Sequence, residues 1–467
     1  MAGGILVGVP ASIAQLQQQG LLERAFHDGL FPNLAYRAEA MPEEWPVNTG
    51  QQIFMTRPGL LKPQTTPLVP GSDPVGQTIP FEQWVATLGQ YADSIDIHMP
   101  TAVTTNADLF LRSIKQLGLA AGQSINRIAR NAVFQAYLSG QTVTTTAPLT
   151  GDLALSVASC NGFTTVINPG ANVAPQTVST TNPLPITIYT ATGSTTNQVV
   201  GFVPNNANDL NGPGTLLLAS AVGVSGLTTR TPVVSAYAPT VVRSEGGRSV
   251  DSISAGGTFV LQQAINAVSF LRRAMVQPHE DGLYHAHISS LANGQVFADP
   301  VFQGLNKSLP EHTIYKEGFI GQMSGVAFFM NLESPEVNFN VGNQTATAQS
   351  GIYGQEIGAE VTNGAGVNIG RVLITGQGSV YEKYLDESNY VTEAGTTGKT
   401  GEFDVVNNGI SILTERIRLV LRAPIDKLQQ SVSASWSITT SFPVPSDITA
   451  PSGPQQFKRA IVLEHAI

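Results

Sequence analysis

The stretch Asn106–Gly140, NADLFLRSIKQLGLAAGQSINRIARNAVFQAYLSG, reads as one long uninterrupted helix. At a rise of 1.5 Å per residue it would extend roughly 50 Å. Phe110, Ile114, Leu117, Ala121, Ile125, Ile128, Ala132 and Ala136 recur at the three-and-four spacing of a core-facing stripe. Ile114, Leu117, Ile125 and Ile128 are the expected core face of this spine. The opposite side carries Arg112, Lys115, Gln116, Gln123, Asn126, Arg127 and Arg130. Thr105 or Asn106 can cap the start, Asp108 complements the helix dipole, and Gly140 is placed to end the helix in a left-handed turn. Gly118 and Gly122 each cost about 1 kcal/mol against alanine, so they indicate close approach of another backbone or a gentle bend.

Upstream of the spine, Ser12–Phe26 forms an amphipathic helical pattern whose Ile13, Leu16, Leu21, Leu22 and Phe26 have no obvious local partner. An arm lying on a neighbouring molecule is one solution. From Val47 to Met99 the pattern changes to strands. QQIFMTRPG is followed by the tip LLKPQTTPLVPGSDPVG and then by TIPFEQWVATLGQYADSIDIHMP. Two strands joined by a Pro-rich tip make a long hairpin. Its edges would be unpaired in a monomer and useful as a strap in an oligomer. Pro58, Gly59, Lys62, Pro63, Pro67, Pro70 and Gly71 are the expected strap residues, with Lys62 read as an ordinary solvated or salt-bridging lysine.

Downstream, Gln141–Val242 contains only Asp152, Asp209 and Arg230 as charged residues. Runs such as DLALSV, LPITIYT, NQVVGFV and TPVVSAY alternate between Asn/Gly/Pro turns, the pattern of a small sandwich or barrel. Helical patterning resumes in TFVLQQAINAVSFLRRAMVQP, where Leu261, Ile265, Val268, Leu271 and Met275 form a second stripe, so the β module reads as an insertion. Beyond it, LYHAHISS reads as a strand, LANGQVFADPVFQGL as a short helix or loop, and SVYEKYLDE as a short helix after the strand GVNIGRVLITGQG. ISILTERIRLVLRAP, QSVSASWSITTSF and FKRAIVLEHAI close the chain as strands.

Charged residues make up 12% and hydrophobic residues 42% of the 467, with 46 glycines and 29 prolines. That balance suits turn-rich β structure and proteins that bury surface against copies of themselves. The net charge of -9, without a basic run, argues against tight nucleic-acid binding. Cys160 stands alone, which rules out an intrachain disulfide and a Cys-based zinc site. The first basic residue is Arg24 and no apolar run reaches membrane-spanning length, so a soluble, intracellularly made protein without membrane partners is expected.

PHEDGLYHAH gathers His279, His285 and His287 near Glu280 and Asp281. On a strand His285 and His287 share a face, the geometry of a metal pair, but a third ligand is unplaced and no HExxH motif exists. GQGSVY, Gly376–Tyr381, lacks the third glycine of a dinucleotide loop and reads as a turn. No nucleophile elbow, phosphate loop or kinase signature is present. No catalytic, cofactor or metal residues are expected, and the protein is not read as an enzyme.

The order of parts resembles the major capsid proteins of tailed double-stranded DNA phages with the Hong Kong 97-like fold, and more narrowly the N-four-type capsid family. TGQQIFMTRPGLLKP, TPLVPGSDP, LGQYADSIDIHMP, HEDGLYHAHISSLANGQVFADPVF, EGFIGQMSGVAFFM and GRVLITGQGSVYEKY carry the likeness. The resemblance implies an α+β fold with an N-terminal arm at 1–46, an extended loop at 47–100 and a peripheral-domain spine at 101–140. An inserted β-rich domain at 141–250 would depart from the simplest form, and 251–467 would supply the rest of the peripheral domain and the axial domain. It implies self-assembly into hexamers and pentamers of an icosahedral shell. Scaffolding, portal and decoration proteins would be partners, packaged DNA would be touched weakly, and assembly would occur in the host cytoplasm. Two alternatives remain: another self-associating virion protein, such as a tail tube or fibre, and a metal-dependent hydrolase using His279, His285 and His287.

Overall fold

In the computed structural model of the chain the central helix runs from Leu109 to Tyr137. The structure describes residues 21, 23–30, 34–46, 48–61, 63–79, 81–98, 109–168, 172–190, 193–207, 209–306, 321–331, 334, 366–385, 403–404, 409–414, 416–422, 430–447 and 457–467. Lys62 of the strap, the expected caps Thr105, Asn106 and Asp108, and Ile13, Leu16 and Leu22 of the arm lie outside the described residues. The chain divides into two compact units, one of residues 1–53, 86–130 and 380–443 and one of residues 54–85, 131–379 and 444–467.

Along the spine Ile114, Leu117, Ala121, Ile125, Ala129, Val133 and Tyr137 are buried. From Leu117 onward their four-residue steps follow one α-helical row, whereas the sequence reading turned at Ile128 toward Ala132 and Ala136. Those three are half-buried. Asn126 and Arg130, read as solvent-facing, are buried. Asn126 is occupied, since its Oδ1 accepts the Tyr36 backbone N–H at 2.8 Å. Gly140, at φ +70°, supplies the left-handed residue after the last turn.

The first unit contains the reason for the spine glycines. Residues 23–30 are helical, and Phe26 and Leu30 are fully buried. A Cβ on Gly118 would stand 2.3 Å from the Phe26 carbonyl oxygen, and one on Gly122 would stand 2.6 Å from that of Leu30. A Cβ on Gly29 would in turn meet the Lys115 oxygen at 2.3 Å. The two helices therefore touch backbone to backbone through three glycines, and Phe26 finds its partner within its own chain. This corrects the expectation that Phe26 reaches for a neighbour, while Leu21 is exposed.

The same unit holds a seven-stranded sheet. Ser431–Ser441 is its longest member and pairs antiparallel with Gly89–His98 over ten positions, from Thr440 opposite Gly89 to Ser431 opposite His98. Its other edge pairs with Ile417–Arg422 and, further along, with Tyr381–Tyr384. Tyr381–Tyr384 is thus a strand and not the short helix read from SVYEKYLDE; it also pairs parallel with Met41–Glu44. Glu382 receives Arg37 at 2.7 Å and Arg416 at 2.9 Å, so its buried carboxylate is neutralised from two sides.

The second unit combines a barrel and a mixed sheet. Six strands pair in the order Gln141–Val143, Pro232–Ser235, Leu184–Tyr189, Ser194–Pro204, Gly214–Leu218 and Ala154–Val157. The Thr144–Val157 bridge and the bond from the Ala158 N–H to the Val143 carbonyl join the last strand to the first. The sheet thereby closes on itself. Its interior is apolar and includes Leu155, Phe163, Ile186, Ile188, Leu216, Val233 and Cys160.

The mixed sheet runs Val241–Arg243, Ala460–Ala466, Ile369–Thr375, Tyr284–Ile288, Val326–Met330 and Gln322–Met323. Two adjacent interior strands, Ala460–Ala466 and Ile369–Thr375, are buried at every position. The helix Leu261–Arg273 shares the core with Ala286, Val372, Ile374, Ile461 and Leu463. Ser324 (φ +54°) and Gly325 (φ +83°) make the two-residue turn of its edge hairpin. Ser289 caps the following helix, Ser290–Ala298, by accepting the Ala292 N–H at 3.0 Å. LANGQVFADPVFQGL thus forms two helices, the second being Pro300–Asn306.

Candidate assembly surface

The segment expected to act as a strap forms a hairpin of Gln52–Pro58 and Phe81–Thr87, closed at its base by the Leu88 N–H on the Gln51 carbonyl. Sequence reading carried its second strand on to Met99. The structure breaks that strand at Leu88 and gives Gly89–His98 to the seven-stranded sheet. Strand alternation splits the hairpin into two faces. Arg57, Glu82, Trp84 and Ala86 point inward and are buried, while Phe54, Phe81 and Val85 are exposed at 61%, 44% and 38%.

The inward face is anchored by charge. Arg57 donates through Nε to Glu82 and through Nη2 to the Phe457 carbonyl at 2.7 Å, and Ser446 donates to the second Glu82 oxygen. Beside them the Lys458 ammonium pairs with Asp447, which also accepts the Arg459 N–H at 2.9 Å. Burial raises the Glu82 carboxyl from 4.5 to about 6, against the opposing pull of Arg57. Burial likewise raises Asp447, opposed by Lys458. Removing one member of such a set would leave an uncompensated buried charge at the root of the hairpin.

The tip differs in every respect. Every described residue from 60 to 79 is exposed, and among them Leu60, Leu61, Leu68, Val69, Val75 and Ile79 are exposed at 40% to 93%. Pro70 and Gly71 occupy the centre of a turn in which the Ser72 N–H reaches the Val69 carbonyl at 3.1 Å. Gly71 at φ +87° after a proline is the signature of a type II turn. Pro63 and Pro67 lie in the exposed tip, Gly59 is half-buried, and Pro58 ends the first strand. The proline and glycine pattern announced this tip. The root residues Arg57, Glu82, Asp447 and Lys458 were missed, because an isolated polar residue in a strand gives no sign of which face it takes.

The histidine cluster forms differently from a metal pair. His279 and His285 stack with centroids 3.9 Å apart and planes 10° apart, and His285 Nε2 lies 3.0 Å from Asp281. Imidazole lone pairs lie in the ring plane, and two nearly parallel planes share no nearby point at which both rings could bind one ion. His287 is buried, with its ring against Phe329. The GQGSVY segment is a turn around Gly378, at φ +72°, leading into a strand. Among the described residues no helix is long and apolar enough to cross a membrane.

No family model and no curated protein matches the chain. Solved structures do resemble it over most of their length. The capsid asymmetric unit of cyanophage Pam1 has a TM-score of 0.45 at 9% identity, covering 92% of this chain and 89% of that one. The capsid of Ralstonia phage GP4 has a TM-score of 0.44 at 12% identity, with 92% and 90% covered. The capsid of cyanophage P-SCSP1u gives 0.43 at 12%, with 91% and 86% covered. At these values the likeness transfers no residue role to this chain.

Proposed function

We propose that this chain is the major capsid protein of a tailed double-stranded DNA phage, a subunit that joins hexamers and pentamers of an icosahedral shell. The observation that carries the reading is the strap. A hairpin rooted by buried ion pairs holds out a tip with six exposed apolar residues. Exposed apolar surface of this kind costs solubility unless a partner covers it. In a shell the partner is another copy.

The other parts suit the same role. A shell subunit needs stiff parts, such as the first unit's helix pair with its glycine contact, and a connection that can change angle between five- and six-fold rings. The closed barrel adds a compact module with its own apolar interior. A net charge of -9 suits an interior that meets packaged DNA weakly and without sequence preference. Scaffolding and portal proteins are the partners expected of such a shell, decoration proteins are optional ones, and the host cytoplasm is its expected place of assembly.

Electron microscopy of the chain expressed alone and with its neighbouring virion genes tests the reading. Closed shells, or rings of five and six subunits, are expected, and deletion of residues 60–71 should leave folded subunits that close no shell. Monodisperse small oligomers in both preparations would overturn the capsid assignment. Shells that still close without residues 60–71 would overturn the strap.

A further inference from the structure

The second unit contains a cavity of about 70 Å³ between the start of the barrel and the edge of the mixed sheet. One water requires about 10–15 Å³ on this measure, so the space accommodates a small polyatomic ligand. Its wall is cationic. Arg243, Arg248 and Arg371 line it, opposed among its described lining residues by the single carboxylate of Glu464.

Sheet register explains how the arginines converge. Glu464 lies opposite Arg243 on one neighbouring strand and opposite Arg371 on the other. Its two oxygens accept the Nε groups of Arg243 at 2.9 Å and of Arg371 at 3.2 Å. One carboxylate thereby fixes two buried guanidinium groups through their Nε atoms. Arg243 donates through Nη2 to Gln141 Oε1 at 2.7 Å, on the first barrel strand, and through Nη1 to the Gly247 carbonyl at 3.4 Å, which leaves one N–H on each terminal nitrogen. Arg248 is exposed and lies over the Tyr189 ring of the barrel at 4.2 Å. Three guanidinium groups against one carboxylate leave a surplus of positive charge in an otherwise charge-poor region of an acidic protein.

We propose that this cavity binds a small oxyanion of the phosphate class, either free phosphate or a terminal phosphate monoester. Planar guanidinium groups match phosphate oxygens in pairs, which suits them to this ligand better than to chloride. Arg243 and Arg371 are held in place by Glu464, and Arg248 completes the site from its open side. A bound anion would link the barrel to the sheet and stabilise the folded subunit by mass action. The inference does not depend on the capsid reading, since its readout is the melting of the chain itself.

The experiment is thermal melting and calorimetry of the full chain in sodium phosphate against sodium chloride at equal ionic strength. Phosphate should raise the Tm saturably by several degrees, and Arg248→Gln should weaken phosphate binding at least tenfold. Because Arg248 is exposed, that variant is expected to fold, and its own chloride baseline is the reference. A 5′-phosphorylated trinucleotide and its unphosphorylated form distinguish the sources. An effect of phosphate alone assigns free phosphate, and an added effect of the phosphorylated trinucleotide extends the site to nucleic-acid ends. Equal melting in phosphate and chloride, or unchanged phosphate affinity in Arg248→Gln, would overturn the proposal.

Discussion

Two buried titratable side chains make opposite demands on pH. Glu82 titrates at about 6 in the folded chain against an ordinary 4.5, because burial penalises its charge. The folded state therefore holds its proton more tightly, and this contribution to stability is present below 4.5 and lost as pH rises through 6. The loss is on the order of 2 kcal/mol. His465, also buried, is depressed from 6.5 to about 4, so its contribution is present above 6.5 and lost as pH falls through 4. Between these limits the two oppose each other, and a single-site variant separates them. Glu82→Gln carries no titrating proton. The Tm of the native protein minus that of Glu82→Gln should therefore increase between pH 7.5 and pH 5. Parallel Tm profiles over that range would show that Glu82 is not the buried acid described.

At the scale of elements, the same substitution should have opposite signs in two helices. Glycine to alanine inside a helix normally gains about 1 kcal/mol. A methyl added at Gly294, within Ser290–Ala298, would enter open space, and Gly294→Ala should follow that rule. Gly118→Ala places its methyl 2.3 Å from the Phe26 carbonyl oxygen, a backbone atom that cannot step aside, and should lose about 1–3 kcal/mol by urea unfolding. If both variants gain stability, the helix of residues 23–30 does not rest on the spine. Much at this scale was legible in the sequence. Gly118 and Gly122 signalled a close backbone or a gentle bend, Gly140 the end of the helix, and alternating runs the strands of a small sandwich or barrel. What was not legible depends on distant partners. Arg130 is buried at a position that helical periodicity assigns to solvent. Tyr381–Tyr384 becomes a strand because Met41–Glu44 and Ser441 offer it backbone partners. The pairing of Arg37 with Glu382 spans 345 residues, and no local pattern encodes it.

For the whole molecule, the informative contrast is between a chain poor in charge and a hairpin that displays its apolar residues. Leu68 is 57% exposed and Val75 is 93% exposed, so neither contributes a buried contact within the chain. Exposed substitutions away from caps and cores change stability by less than about 0.5 kcal/mol. Leu68→Asp combined with Val75→Asp should therefore leave the melting of the isolated subunit unchanged. In an assembly the same pair would place two carboxylates in an apolar contact, where an unpaired charge is strongly disfavoured. Sedimentation velocity of the double variant should show subunits or small oligomers under conditions in which the native chain forms large closed particles. A variant that melts normally and still assembles would mean that the tip lies outside the contacts, and the exposed face of Phe54, Phe81 and Val85 would then be the part of the strap that meets a neighbour.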